Sequence, residues 1–384
     1  MNDHPALTEE HEAYRQTVRR FVEREILPHA TAWDEAGEFP RELYGKAAAA
    51  GLLALGFPEE YGGAPADYFF RIVCAEEFAR AGTGGLSASL FSHTIGAPPI
   101  AAVGSVELKR RVLPSILSGE KISALAITEP GGGSDVASLR TSARKDEDQY
   151  IVRGEKTFIT SGMRADYYTV AVRTGGPGAA GVSLLLIERD RPGFTRTELK
   201  KMGWWCSDTA SLNFDDVRVP AANLIGAENA GFSAIMRNFN SERLSMAAGA
   251  TGFAQACLED ALAWAKQRQT FGRPLIGHQA IRHKLVDMQA RVHAARALLY
   301  DTAWKLREAP REPAHIAQLA ILKNVATDAM QFCADAAVQT LGGAGYMRGS
   351  RAERIYREAK VMQIGGGSTE IMKDLAARQL GWEP

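Results

Sequence analysis

Ala126-Ile127-Thr128-Glu129-Pro130-Gly131-Gly132-Gly133-Ser134-Asp135 stands where the chain changes texture. Before it, apolar residues recur at helical spacing. After it, short β-prone runs are bounded by Gly-, Pro- and Asp-rich turns. Glycines let backbone N–H groups approach a ligand closely, and Thr128 and Ser134 add hydroxyl donors. Such a loop can hold a polar ring edge or a phosphate without formal charge. The same residues also fit a plain glycine turn capped by Ser134 or Asp135, so residue types alone mark a boundary here and leave its use open.

Upstream, Thr8 is a candidate N-cap, and Tyr14, Val18, Phe21, Val22 and Ile26 recur at spacings of three and four until Pro28. Helical pieces are expected over 41–55 and 70–81, separated by the turn-rich FPEEYGGAPAD. Downstream, 150–153, 167–172, 182–187 and 211–214 predict a small antiparallel β domain ending near Val219-Pro220. The helical period returns from about Phe232. Residues 241–266 lack proline and are rich in Ala, Leu, Glu and Gln, and 281–307 and 316–341 suggest two more helices of a bundle. The expected fold class is α+β, with a helical domain at 1–125, a β domain at 126–230 and a helical bundle at 231–384.

Composition narrows the function. Lys+Arg and Asp+Glu both number 45, and zero net charge argues against a nucleic-acid binder while allowing a local phosphate site. No apolar run approaches the ~18 residues of a membrane span. The start, MNDHPALTEEHEAY, lacks a signal-peptide pattern, so a cytoplasmic protein is expected. Cys74, Cys206, Cys257 and Cys333 show no CxxC spacing and read as reduced structural thiols, with no metal centre. Phosphate-loop, HExxH, nucleophile-elbow and GxGxxG motifs are absent, which argues against a nicotinamide-binding unit.

Two later stretches could hold a pyrophosphate, Arg268-Gln269-Thr270-Phe271-Gly272 and Gln339-Thr340-Leu341-Gly342-Gly343-Ala344-Gly345-Tyr346. Each alone reads equally as a helix end. Together with AITEPGGGSDVAS they resemble one family, the acyl-CoA dehydrogenases. The resemblance runs through LTEEHEAYRQTVRRFVEREILPHA, FPRELYGKAAAAGLLALGFPEEYGG, GEKTFITSG, LNFDDVRVP, QRQTFGRPL, QTLGGAGY and IYREAKVMQI, in family order over essentially the whole chain.

The resemblance implies FAD, an acyl-CoA substrate, α,β-dehydrogenation, an electron-transfer flavoprotein as acceptor, and a homotetramer built as a dimer of dimers. It implies that Ile127, Thr128, Gly133, Ser134, Phe158, Thr160 and Ser368 flank the flavin of their own chain. Arg268, Thr270, Phe271, Gln339, Gly342 and Gly343 would reach the FAD of a neighbouring subunit. Ser134, Asn240, Arg243, Gly365 and Gly366 would face substrate. Phe158 replaces a frequent Trp, which preserves a stacking surface. Gly349 replaces an acidic or amide residue of the second family signature, so loop geometry is expected to differ there.

The decisive departure is Gln363-Ile364-Gly365-Gly366-Gly367-Ser368-Thr369-Glu370. In many family members the counterpart of Gly366 is the catalytic glutamate, and glycine cannot remove a proton. Phe239-Asn240-Ser241-Glu242-Arg243-Leu244 resembles the isovaleryl-CoA and long-chain types, whose base precedes the matching arginine; the IGGG run resembles the citronellyl-CoA type. Glu242 is therefore the expected base, and the Gly366 N–H the expected donor to the thioester carbonyl. A bland alternative pairs Glu242 with Arg243 as a solvated helix charge, and Glu370 is a rival base.

The two glycines also predict vacant space for a branched or wide acyl chain, with the 93–100 stretch contributing to the pocket. Competing functions are an oxidase or lyase on the same fold, a dehydrogenase of a carrier-protein thioester, and a non-catalytic acyl-CoA-binding scaffold.

Overall fold

The computed structural model describes residues 4–382. Helices α1 (Glu9–Phe21), α2 (Ala30–Ala36), α3 (Glu42–Ala49), α4 (Tyr68–Ala79), α5 (Gly84–Leu90), α6 (His93–Gly96), α7 (Pro98–Val103) and α8 (Val106–Leu117) come first. Strands β1 (Ser123–Ala126), β2 (Ser142–Asp146), β3 (Gln149–Thr160), β4 (Tyr167–Arg173), β5 (Val182–Glu188), β6 (Phe194–Glu198) and β7 (Thr209–Pro220) follow. The chain then forms α9 (Gly231–Gln267), a short hairpin of β8 (Gln269–Thr270) and β9 (Arg273–Pro274), α10 (Gln279–Glu308) and α11 (Pro313–Leu341). It ends with α12 (Gly343–Tyr346), α13 (Arg351–Ile364) and α14 (Thr369–Gln379). The expected order of helices, sheet and helical bundle is the order that folds.

Local chemistry sets the ends of these elements. Thr8 precedes α1, and its backbone N–H donates to His11 Nδ1 at 3.0 Å. The helix expected over 41–55 stops at Ala49, because Gly51 turns left-handed and Leu52 N donates back to Ala47 O. Gly349, the departure noted above, has φ +92 just before the Ser350 cap of α13. Asn and Asp are the residues with side chains that best tolerate positive φ. At φ +92 the backbone lies beyond the small left-handed region those side chains use, a conformation that glycine takes without a Cβ penalty.

The sheet runs β1-β4-β2-β3-β7-β6, with β5 also paired to β4. It is mixed where a wholly antiparallel sheet was expected, since β1 pairs β4 in parallel from Ser123↔Tyr167 to Ala126↔Val170. The β2–β3 hairpin intervenes between these two strands, so the chain re-enters beside β1 in the same direction.

Helix α9 organises the remainder. It packs on α11, α4 and α10, and a Cβ on Gly252 would lie 2.6 Å from Ala79 Cβ, so glycine there permits the close α4–α9 approach. Phe239, one turn before Glu242, joins an apolar cluster with Ile127 and Ile235 that ties α9 to the start of the glycine loop. Glu358 of α13 accepts from Gly84 N at 2.6 Å and Gly85 N at 3.4 Å, tying the bundle to the start of α5. The four cysteines are free and buried, as their scatter predicts. Among the described residues no helix is long and apolar enough to cross a membrane, and no group of His, Cys, Asp and Glu could hold a metal.

Candidate active site

The glycine loop is built on a buried ion pair. Lys156 of β3, fully buried, donates to Glu129 Oε1 at 2.8 Å and to Ile127 O at 3.0 Å. Glu129 also accepts from Arg140 N at 2.6 Å and Thr141 N at 2.9 Å, while Thr157 N donates to Thr128 O at 2.9 Å. Burial pushes the Glu129 carboxyl up, but Lys156 and these N–H groups hold it below the usual carboxylate range. Ile127 and Thr128 are thereby fixed at the end of β1, while Gly131, Gly132, Gly133 and Ser134 are exposed. A Cβ on Gly131 or Gly132 would meet nothing within 4 Å. This open backbone beside an anchored hydroxyl fits a ligand's polar edge.

Phe158 stands two residues along β3 from Lys156. The β3–β7 register shifts between Lys156 and Ile159, and Phe158 takes φ +61 with 69% of its surface exposed. A bulge that re-aims an aromatic ring outward, at a backbone cost, is the form expected of a stacking platform. Thr160 is half-buried at the end of the same strand, paired with Thr209. The residues of this face fit a flavin ring.

On the bundle side, the structure brings Glu242, Arg243, Gly365 and Gly366 together. Glu242 lies inside α9, and a Cβ on Gly366 would sit 4.0 Å from Glu242 Oε1. The carboxylate of one helix thus reaches the point from which a side chain at position 366 would emerge. Glu242 Oε2 is enclosed and has no hydrogen-bond partner, and no cation lies within 4.0 Å of the carboxylate among the described residues. The bland pairing with Arg243 is therefore absent. Arg243, buried, instead donates through Nε to Gly366 O at 3.0 Å. Burial raises the Glu242 carboxyl to about 7, against the opposing pull of Arg243 and Lys323.

Gly366 has φ +67 and Gly367 φ +106, while Gly365 N closes α13 on Val361 O at 2.8 Å. The Gly366 N–H makes no hydrogen bond among the described residues, so a free donor lies beside the carboxylate. Ser368 caps α14 through Ile371 N at 3.4 Å. Glu370 is exposed in the first turn of that helix and held below the usual carboxylate range, chiefly by its own backbone N–H and Ser368. It is a poor rival base. Asn240 is half-buried on α9, two residues before Glu242.

The predicted vacancy at the glycines is not empty. A Cβ on Gly366 would lie 2.7 Å from Met246 Sδ, and Met246 Cε is 3.7 Å from the Cβ position of both Gly365 and Gly366. Met246 sits one turn beyond Glu242, so its thioether fills the space a bulky residue 366 would need. Of the 93–100 stretch, His93 is buried and bonded to Leu53 O at 2.9 Å, kept neutral by burial that lowers it to about 4. Ile95 O accepts from Asn238 Nδ2 at 3.3 Å, so this stretch reaches α9 one turn before Glu242 through its backbone.

The second predicted group lies elsewhere. Arg268 follows the last residue of α9, roughly 39 Å along the helix from Glu242 at ~1.5 Å per residue. Phe271, 96% exposed with φ +49, tips the β8–β9 hairpin, and Thr270 Oγ1 contacts His278 Nε2 at 3.2 Å. Gln339, Gly342 and Gly343 end α11, where a Cβ on either glycine would meet nothing within 4 Å. These residues and Glu242 do not share a site within one chain.

Sequence reasoning missed Met246 and Lys323. The first is legible as the i+4 neighbour of Glu242 on one helix face, and the second as a lone lysine inside the apolar run AILKNVA.

Three family models match the chain: "Acyl-CoA dehydrogenase, N-terminal domain" over 8–120, "middle domain" over 124–217 and "C-terminal domain" over 229–381. The chain is 40% identical over 377 residues to an acyl-CoA dehydrogenase of Bacillus subtilis (strain 168), covering 97% of this chain and 98% of the relative. It is 37% identical to the long-chain specific acyl-CoA dehydrogenase, mitochondrial, of Sus scrofa, over 97% of this chain and 86% of the relative. The crystal structure of an acyl-CoA dehydrogenase from Geobacillus kaustophilus superposes with a TM-score of 0.93 at 38% identity, covering 98% of this chain and 99% of that one.

Proposed function

The chain belongs to the acyl-CoA dehydrogenase family of oxidoreductases, which carry out flavin-dependent dehydrogenation of acyl-CoA, and from that premise we propose a mechanism in which Glu242 is the base. Glu242 removes the α-proton of an acyl-CoA thioester, and the product is the trans-2-enoyl-CoA. The observation that carries this reading is the 4.0 Å approach of Glu242 Oε1 to the side-chain position of Gly366.

The residues divide the work as follows. A thioester α-proton is weakly acidic, so its base must be close and shielded from water. The carboxyl raised to about 7 by burial suits proton removal near neutrality. The unpartnered Gly366 N–H donates to the thioester carbonyl oxygen and stabilises the enolate that develops there. Arg243 holds Gly366 O and so fixes the peptide plane that follows that N–H, which limits how Gly366 can turn. Ile127, Thr128, Gly133, Ser134, Phe158, Thr160 and Ser368 hold FAD, with Phe158 as the ring platform. Bound FAD supplies the acceptor for the β-hydride. Arg268, Thr270, Phe271, Gln339, Gly342 and Gly343 serve the FAD of a neighbouring subunit in a homotetramer, and an electron-transfer flavoprotein is the acceptor.

Anaerobic mixing of the purified FAD-loaded protein with butyryl, octanoyl, palmitoyl, isovaleryl, isobutyryl and citronellyl thioesters of CoA tests the reaction. Bleaching of the flavin absorbance by one class is the expected result. An FAD-loaded protein that no member bleaches would argue against dehydrogenation of these free CoA thioesters.

Met246 bounds the acyl slot beside the reacting carbons. Met246→Ala is expected to raise kcat/KM for isovaleryl-CoA relative to butyryl-CoA by about tenfold, the effect typical of one or two methylenes in an apolar pocket. An unchanged ratio would remove Met246 from the acyl slot.

A further inference from the structure

Building on the assignment of Glu242 and Gly366, we propose that Lys323 is a positioning residue of the reaction: its ammonium clamps the glycine turn, so that the Gly366 N–H is held beside the Glu242 carboxylate, and its charge favours that carboxylate. Lys323 lies within α11 and has no exposed surface. Its Nζ donates to Gly367 O at 2.8 Å, and no carboxylate lies within ion-pair distance of it among the described residues. A buried ammonium without a contact counter-ion is a costly way to hold one carbonyl, and such costs persist where function needs them.

The turn is pinned on both sides. Upstream, Gly365 N is fixed on Val361 O. Downstream, Gly366 O accepts from Arg243 Nε at 3.0 Å, Gly367 O from Lys323 and Thr369 O from Asn324 Nδ2 at 3.0 Å. Between these points two glycines occupy left-handed backbone, where an unrestrained glycine would sample many conformations. The side chains thus occupy the turn's carbonyls and leave the Gly366 N–H available. Losing the Lys323 bond frees Gly367 and, through it, the setting of Gly366.

Electrostatics gives Lys323 a second effect. Burial and the Arg243 charge lower its ammonium to about 8, while Glu242 on α9, Asp328 on its own helix and Glu370 on α14 raise it. Reciprocally, Lys323 opposes the burial that raises Glu242. Removing its charge therefore moves the Glu242 titration to higher pH.

The test measures anaerobic flavin reduction by saturating acyl-CoA across pH in the FAD-loaded protein, for Lys323→Met, Lys323→Arg and, in parallel, Glu242→Gln. In Lys323→Met the reduction rate is expected to fall about 10²-fold, as for a misplacement of order 1 Å, with KM little changed. Its acidic limb moves to higher pH, and Lys323→Arg returns the limb towards the wild-type position. A folded Lys323→Met with wild-type rate and limb overturns the proposal. If that variant does not fold, Lys323→Gln, which keeps a donor without the charge, decides the matter: an alkaline shift of its limb supports the proposal and an unmoved limb overturns it. Wild-type reduction by Glu242→Gln beside a slowed Lys323→Met would sink the base assignment while the clamp on Gly366 stands.

Discussion

Replacing Glu242 with Gln is expected to slow flavin reduction by acyl-CoA about 10²–10⁴-fold and, at pH 8, to make the folded protein more stable. The two effects share one cause. Oε2 is enclosed without a partner, and burial holds the carboxyl at about 7 instead of its ordinary 4.5. Between those values the folded state keeps a proton that the unfolded chain has released, so folding stability falls as pH rises from 4.5 through 7. Above pH 7 the ionised carboxylate costs the fold roughly 2 kcal/mol, less than the full shift because the group is half-buried. Gln carries no charge and escapes that cost.

Thermal midpoints of both proteins at pH 5 and pH 8, with single-turnover reduction on the same samples, check this. A structural ion-paired glutamate would give the opposite pattern, with stability lost at pH 8 and flavin reduction retained. The wild-type reduction rate should also climb through about pH 7 as Glu242 ionises.

The fold was legible because its signals are local. A proline-free run rich in helix formers marked α9, long helical runs marked α10 and α11, and short β-prone runs between Gly-, Pro- and Asp-rich turns marked β3, β4, β5 and β7. The parallel β1–β4 pair was not legible, since it depends on which strand the chain returns to across the whole β2–β3 excursion. At the site, the absence of a carboxylate at Gly366 pointed to Glu242, because family motifs fix the two positions in register. The filling of that gap by Met246 was hidden, as it depends on the rotamer of a flexible side chain in three dimensions. The role of Lys323 was hidden for a related reason. A lone lysine in the apolar run AILKNVA stands out in the sequence, but its partner does not, because the turn it bonds lies 44 residues away.

Lys156→Met is expected to destabilise the FAD-loaded protein by about 3–5 kcal/mol, the usual consequence of removing one partner from a buried ion pair, and to lower its FAD content. Lys156 is fully buried and Glu129 is nearly so, and the Lys156 ammonium is the only cation within ion-pair distance of that carboxylate among the described residues. Without it, Glu129 keeps only its two backbone N–H donors, and Ile127 O loses its partner as well. Thr128 would then lose the rigid base on which its proposed flavin contact rests, which links a stability defect to a binding defect. Lys156→Met combined with Glu129→Gln removes the uncompensated charge and should recover part of the stability, because Gln still accepts one of the two N–H bonds. Denaturant midpoints and the flavin-to-protein absorbance ratio of the two variants measure both effects. A loss below about 1 kcal/mol in Lys156→Met, the range of exposed pairs, would mean that water reaches Glu129 and that the glycine loop does not rest on this pair.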